Sequence, residues 1–363
     1  MSAVRLAIIP SFLAPVRAGA CFGGAEVLAL QLAEGLARRG HAVTLVGVEG
    51  SAGEGVAPLV APPTPAFRPG DVVPVDPAPF RPTLEAAAAR ADVLHLHLND
   101  PGALVAAAEL AERRPALRVV STLHLSAVFP ATTEIVQRLV DRGARLTFTS
   151  PSRAARLSYA RDAIVVVPNG VEPERVPFGA QPEPSSALWA GRRVPEKGYA
   201  DAGVIAARAH RRLHVAGPPP DPGAPPDPGA PPDPGAKPLA SSSSSSTVVD
   251  HGHLTRAALA ARLAAVEVTL VPSTIAEAHP LIAIESLLAG TPVVGYAVGG
   301  LPEIVTDDVG RLVEPGDIDA AVRAVADVRA LDRASIRARA VERFSAARMI
   351  EDFVRLYRSA PPT

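Results

Sequence analysis

Two carboxylates, Glu277 and Glu285, stand on either side of the apolar run Ala278-His-Pro-Leu-Ile-Ala-Ile284, which continues through Ser286-Leu-Leu-Ala-Gly290 into Thr291-Pro292. Val266 to Val271, just upstream, reads as a buried strand; Pro280 suits the first position of a helix and Gly290 its C-terminal cap. The order is strand, loop, helix, with Glu277 in the loop. Backbone N–H groups after Pro280 lack partners inside the helix and point out of its positive end, a place suited to phosphate. Glu285 lies five residues into the helix, roughly 7 Å along an axis that rises about 1.5 Å per residue, similar to the separation of a diphosphate from its ribose. One carboxylate is therefore placed for each end of a nucleotide sugar. An isolated pair of this kind reads more often as a solvated loop acid and a favourable acid near a helix N-terminus.

Other residues fit the same chemistry. In Gly191-Arg-Arg-Val-Pro-Glu-Lys-Gly198, Arg192 and Lys197 flank a tight loop and offer a planar fork and a point charge, a combination that suits a diphosphate. Two loop cations are ordinarily solvent-facing. Gly23-Gly24 permits close approach of backbone to a ligand at the start of a helix, although such pairs are commonly plain turns. His124 follows a strand at its carboxyl end, where α/β sheets bind ligands; alone it reads as structural.

The elements that must position these residues recur as strand, helix, strand. Val4 to Ile9, a helix over 25–39 and Ala42 to Gly47 form a β-α-β unit, so the sheet is expected to be parallel. Strands follow at Val93 to Leu98, Val119 to Leu123 and Leu146 to Thr149; Ala163 to Val167 leads into Pro168-Asn-Gly-Val-Glu172, and residues 50 to 82 give no element. After a linker the pattern restarts at Ala187 to Ala190, with a helix over 200–211, strands at Leu213 to Ala216 and Thr247 to Asp250, and a helix over 256–264. The stretch from Ala334 to Ser359 reads as helical.

Taken together, these phrases resemble the retaining glycosyltransferases of the GT-B fold, family 4 (glycosyl transferases group 1). The resemblance is carried by the Glu277 to Glu285 signature, Ala289-Gly-Thr-Pro-Val-Val294 with Gly299-Gly-Leu-Pro-Glu303, Gly23-Gly-Ala-Glu26 with Arg39-Gly-His41, Thr122-Leu-His124, Pro168-Asn-Gly-Val-Glu172 and the Arg192 to Gly198 loop. It implies an α/β architecture of two Rossmann-like, doubly wound domains facing a cleft. It also implies transfer of a sugar from a nucleotide-diphosphate sugar to an acceptor hydroxyl, with retention of configuration. By the same resemblance His124 and Glu277 meet the donor sugar, Arg192 and Lys197 the diphosphate, and Glu285 the ribose. Gly23, Gly24, His279, Pro280, Leu281 and Ile282 complete the donor site. The donor is a substrate, so no cofactor is expected, and the acceptor is an unidentified hydroxyl compound. Epimerases and phosphorylases share the two-domain plan, but a phosphorylase needs a lysine tether for pyridoxal phosphate, for which there is no supporting motif. The rival outside enzymes is a subunit that binds sugar nucleotide without transferring it.

Several side chains imitate metal sites. His95 and His97 alternate on one strand face without a third ligand nearby. Asp250, His251 and His253 cluster at a turn which in the resembled family touches the base largely through backbone. Asp317-Ile-Asp319 imitates a D-x-D motif, but its setting before Ala320-Ala-Val is that of a helix N-cap. No metal is expected.

At 363 residues the chain is long enough for two cores, here expected as residues 1–172, a linker at 173–186, residues 187–344, and a final helix over 345–359 crossing back to the first domain. Within the second, the Pro-Pro-Asp-Pro-Gly-Ala repeats and serines of residues 219–246 cannot bury a core and are expected as a solvated excursion. A formal net charge of −1 gives no reason to expect nucleic acid. The single cysteine, Cys21, fits a reducing, cytoplasmic setting. The opening residues imitate a weak signal peptide, but Pro10 interrupts the run and a first strand is the simpler reading; no stretch is long and apolar enough to span a membrane.

Overall fold

The computed structural model describes residues 3–19, 23–64, 75–97, 100–124, 130–155, 159–218 and 248–359. Cys21, Leu98, Thr247 and the repeat region 219–246 lie outside them. The chain divides into two compact units, residues 1–170 with 346–363, and residues 171–345.

In the first unit the elements run β1 (Arg5–Ile9), α1 (Gly24–Ala37), β2 (Ala42–Gly47), β3 (Ala57–Val60), α2 (Arg81–Arg90), β4 (Val93–Leu96), α3 (Pro101–Arg113), β5 (Arg118–Thr122), α4 (Pro130–Val140), β6 (Arg145–Phe148), α5 (Pro151–Ala154) and β7 (Ile164–Val166). Every strand pairing is parallel, in the order β3-β2-β1-β4-β5-β6-β7. The order reverses between β1 and β4, where an open sheet of this kind leaves a crevice at its carboxyl edge. Leu6, Ile8, Ile9, Leu94 and Leu96 have essentially no exposed surface. Burial on both faces is why these strands read as unbroken apolar runs.

In the second unit the order is β8 (Glu183–Ala190), α6 (Tyr199–Arg208), β9 (Arg212–Ala216), β10 (Val248–Asp250), α7 (Arg256–Ala265), β11 (Val266–Val271), α8 (Leu281–Leu288), β12 (Val293–Tyr296), α9 (Leu301–Ile304), β13 (Gly310–Val313), α10 (Ile318–Asp327) and α11 (Arg333–Phe344). This sheet too is parallel, β10-β9-β8-β11-β12-β13, and reverses between β8 and β11. The last helix, α12 (Ala346–Arg358), belongs to the first unit. Among the described residues no helix is long and apolar enough to cross a membrane. The α/β, doubly wound architecture is as the sequence predicts.

The helical stretch expected over 334–359 divides at Ser345, which is extended (φ −69, ψ 145) and pairs with Val171 in a parallel bridge; α12 starts at Ala346, one residue after the start expected for the final helix. Two local expectations are corrected. Residues 50 to 82 do contain a strand: β3 joins the sheet edge beside β2, where its exposure hides the usual apolar signal. Pro280 stands before α8 and not in its first turn, since its ψ of 118 lies outside the helix; Leu281 is the first helical residue.

Candidate active site

The loops after β8 and β11 leave neighbouring strands at the reversal point of the second sheet, so the Arg192 to Gly198 loop and the Glu277 loop emerge side by side. Glycines allow them to touch. Gly198 has φ +66, and a Cβ there would stand 1.9 Å from the carbonyl oxygen of Pro272, so neither its conformation nor the space admits a side chain. Thr274 N–H and Ser273 Oγ donate to the Glu196 carbonyl at 2.9 and 3.2 Å, and Trp189 Nε1 donates to the Lys197 carbonyl at 3.0 Å. On the far side, Gly300 N–H donates to the Glu277 carbonyl at 2.8 Å; a Cβ on Gly300 would lie 1.9 Å from the Ala278 carbonyl oxygen. The Gly299-Gly300 pair therefore clamps the loop that carries Glu277.

The result is an ion pair that the sequence does not announce: Lys197 Nζ lies 2.6 Å from Glu277 Oε2, with side chains 20% and 24% exposed. From this loop α8 departs, held against β11 by Ser286 Oγ, which donates to the Thr291 carbonyl at 2.9 Å and lies within hydrogen-bond distance, 2.7 Å, of Thr269 Oγ1. As an α-helix beginning at Leu281, its first two N–H groups have no carbonyl one turn back within the helix, while the third, that of Ala283, donates to the Pro280 carbonyl at 3.2 Å. Leu281 and Ile282 are half-buried against the core, and the buried His279 ring packs edge-on to Phe344 at 5.6 Å. Glu285 is buried and paired with Arg256, a partner not foreseen from the sequence; burial raises its pKa, and the guanidinium offsets this in part. Arg192 is exposed in the same loop. Its neighbour Arg193 turns away to Asp250, donates to the Gly217 carbonyl at 3.3 Å and lies over the Tyr199 ring.

The first unit supplies the remaining candidates. Gly23 caps α1 in an extended conformation and Gly24 opens the helix. Glu26, in the first turn, accepts from Ser11 Oγ, and a Cβ on Gly23 would meet Glu26 Oε2 at 3.0 Å. His124 follows β5 and is partly exposed; its Nε2 lies 2.9 Å from Nδ1 of His97, which follows the adjacent β4. Beneath them the buried His95 is held at Nδ1 by Tyr357 Oη (2.6 Å) and at Nε2 by Thr122 Oγ1 (2.7 Å). Burial lowers all three histidines, His124 to about 4, so each imidazole is neutral at pH 7.

The imitations of metal sites have other partners. Asp317 Oδ1 accepts from Ala320 N–H at 2.9 Å as the cap of α10, and Asp319 pairs with Arg208. Asp250 accepts from Gly252 N–H at 2.9 Å, while His251 Nε2 lies 2.9 Å from His214 Nδ1.

Two family profiles match the chain: Glycosyltransferase Family 4 over residues 22–175 and Glycosyl transferases group 1 over residues 172–343. Among curated relatives, a D-inositol 3-phosphate glycosyltransferase of Geodermatophilus obscurus is 43% identical over 106 residues, covering 28% of this chain and 23% of the relative. The chain spans less than half the length of the first curated relatives it matches. Among solved structures, sucrose-phosphate synthase from Thermosynechococcus elongatus superposes with a TM-score of 0.73 at 20% identity, covering 97% of this chain and 98% of that one. An Anabaena protein solved with UDP-glucose gives 0.69 at 18% identity, covering 98% and 100%. With the two profiles side by side along nearly its whole length and this fold in both units, the chain belongs to the family 4, group 1 glycosyltransferases of the GT-B fold.

Proposed function

We propose that the protein transfers a glycosyl group from a nucleotide-diphosphate sugar to an acceptor hydroxyl, with retention of configuration, without a metal and in the cytoplasm. The observation that carries this reading is the Lys197–Glu277 pair at the foot of α8. A cation and a carboxylate held together, beside a helix N-terminus, match the two halves of the donor. The ammonium and the helix N–H groups suit the diphosphate, and the carboxylate suits sugar hydroxyls, from which it accepts hydrogen bonds. Arrival of the diphosphate offers Lys197 a new anion and releases Glu277 to the sugar. As the glycosidic bond breaks, negative charge grows on the bridging phosphate oxygen, and Lys197, Arg192 and the helix end stabilise it where it develops.

Glu285, in exchange with Arg256, meets the ribose, and His124 meets the transferred sugar. Gly23 and Gly24 border the phosphates. The Anabaena neighbour solved with UDP-glucose supports a nucleotide-sugar donor, and the family resemblance supports retention. The test is a screen of UDP, GDP, ADP and dTDP sugars for donor hydrolysis, followed by product stereochemistry with the best donor. Turnover of one donor class with retained configuration is expected. Tight donor binding without hydrolysis or transfer across the set would make the protein a sugar-nucleotide-binding subunit instead.

A further inference from the structure

His97 and His124 stand just beyond the ends of β4 and β5, neighbouring parallel strands in which Leu96 pairs with Ser121. Their rings are 5.1 Å apart and 25° from parallel, and the 2.9 Å separation of His97 Nδ1 from His124 Nε2 is that of a hydrogen bond. Two neutral imidazoles sharing such a contact have one proton between them, and whichever ring donates it, the other nitrogen of each ring is fixed as well.

The surroundings choose between the two arrangements. His97 is 3% exposed, and its Nε2 is buried with no hydrogen-bond partner among the described residues. If His124 donated from Nε2, His97 would carry its own proton on Nε2, leaving an N–H without an acceptor among those residues. If His97 donates from Nδ1, its Nε2 is a bare lone pair. Orphaned buried N–H groups are rarer in proteins than under-satisfied acceptors, so the second arrangement is favoured. His97 has little freedom to escape the choice: the His95 ring lies 4.1 Å below it and is itself tied at both nitrogens.

We propose that His97 is a positioning residue for the transfer: it donates Nδ1–H to His124 Nε2 and so fixes His124 as the tautomer that presents Nδ1–H, a hydrogen-bond donor, to a ligand oxygen. This rests on the reading that His124 meets the transferred sugar, and it narrows that role. His124 serves as a donor to a sugar oxygen and not as a base, because its only lone pair is already used by His97.

The tautomers are read directly by nitrogen-15 NMR of the full-length, donor-free protein with labelled histidine, assigned by the signals lost in His97→Asn and in His124→Asn. Protons on Nδ1 of both His97 and His124 are expected; protons on Nε2 of both rings would overturn the proposal. Kinetics supply the second arm. Asn at position 97 keeps a side-chain N–H near the place of Nδ1, whereas Leu removes it. His97→Leu is expected to lower kcat at least tenfold with donor Kd within twofold of wild type, and His97→Asn to restore most of the loss. Equal losses in both variants, or none in either, would refute the positioning role. If the wild-type protein transfers no sugar, the transferase reading fails while the wild-type spectrum still decides the tautomers.

Discussion

On the proposed mechanism, replacing Lys197 with alanine should separate catalysis from binding. Among the described residues Lys197 has one carboxylate partner, Glu277, at 2.6 Å, in a pair about a fifth exposed. Pairs that still see solvent contribute roughly 0.2–1 kcal/mol, so the stability of the 175-residue second unit should fall by no more than about 1 kcal/mol, a Tm shift of about 2–4 °C. On the proposed mechanism the catalytic loss should be far larger, because Lys197 would meet charge that grows only as the glycosidic bond breaks. Removing one such group typically costs about 2.7–4 kcal/mol of barrier, on the order of 100- to 1000-fold in rate. Glu285→Ala should do the reverse, weakening donor binding by about tenfold, or about 1.4 kcal/mol, with a smaller effect on the chemical step. Single-turnover rates and calorimetric donor affinities on both variants provide the comparison. Wild-type turnover in Lys197→Ala would remove the lysine from the mechanism, and equal small effects from both changes would point to a protein that binds donor without transferring it.

Transfer activity should persist in EDTA, because Asp317 and Asp319 are engaged in a helix cap and an ion pair; loss of activity restored by manganese or magnesium would contradict the charge assignment. Gly198→Ala should destabilise the second unit by about 1–3 kcal/mol, since the left-handed backbone and the Pro272 carbonyl leave no room for a methyl group, and an unchanged thermal melt would refute that packing. The first unit should lose stability in acid. The folded-state pKa values of His95, His97 and His124 lie below the unfolded value near 6.5, so as pH falls the unfolded chain takes up protons first and stability drops between about pH 7 and 4. His124 alone, at about 4, accounts for about 2 kcal/mol by pH 5. Hydrogen exchange of the β4 and β5 amides at pH 8 and pH 5 reads this directly, and equal protection at the two values would contradict it.

Much of the architecture was legible because the central strands are buried on both faces and so appear as short apolar runs, with helices marked by glycine, proline and capping residues. Edges were not. In β3 the exposure of Val60 at 61% removes the burial that makes a strand readable. At the candidate site the residue types were legible but their partners were not. Lys197 and Glu277 are 80 residues apart in the chain, Arg256 and Glu285 belong to successive helices, and His95 finds Tyr357 from 262 residues away. Such pairings are set by strand order, which local pattern does not encode.

Because α12 is built into the first unit while 175 residues of the second intervene, that unit is discontinuous in the chain. Met349, Ile350, Phe353 and Tyr357 are nearly fully buried, and Tyr357 Oη closes the bond to His95. During synthesis, residues 1–170 therefore emerge with a groove whose filling has not yet been made, and at about 5–20 residues per second they wait roughly 9–35 seconds for it. The second unit, continuous from residue 171 to 345, has all of its own strands before α12 appears. The unit translated first is thus the last to be completed, and for that interval its unfilled apolar surface is where a chaperone would find the nascent chain.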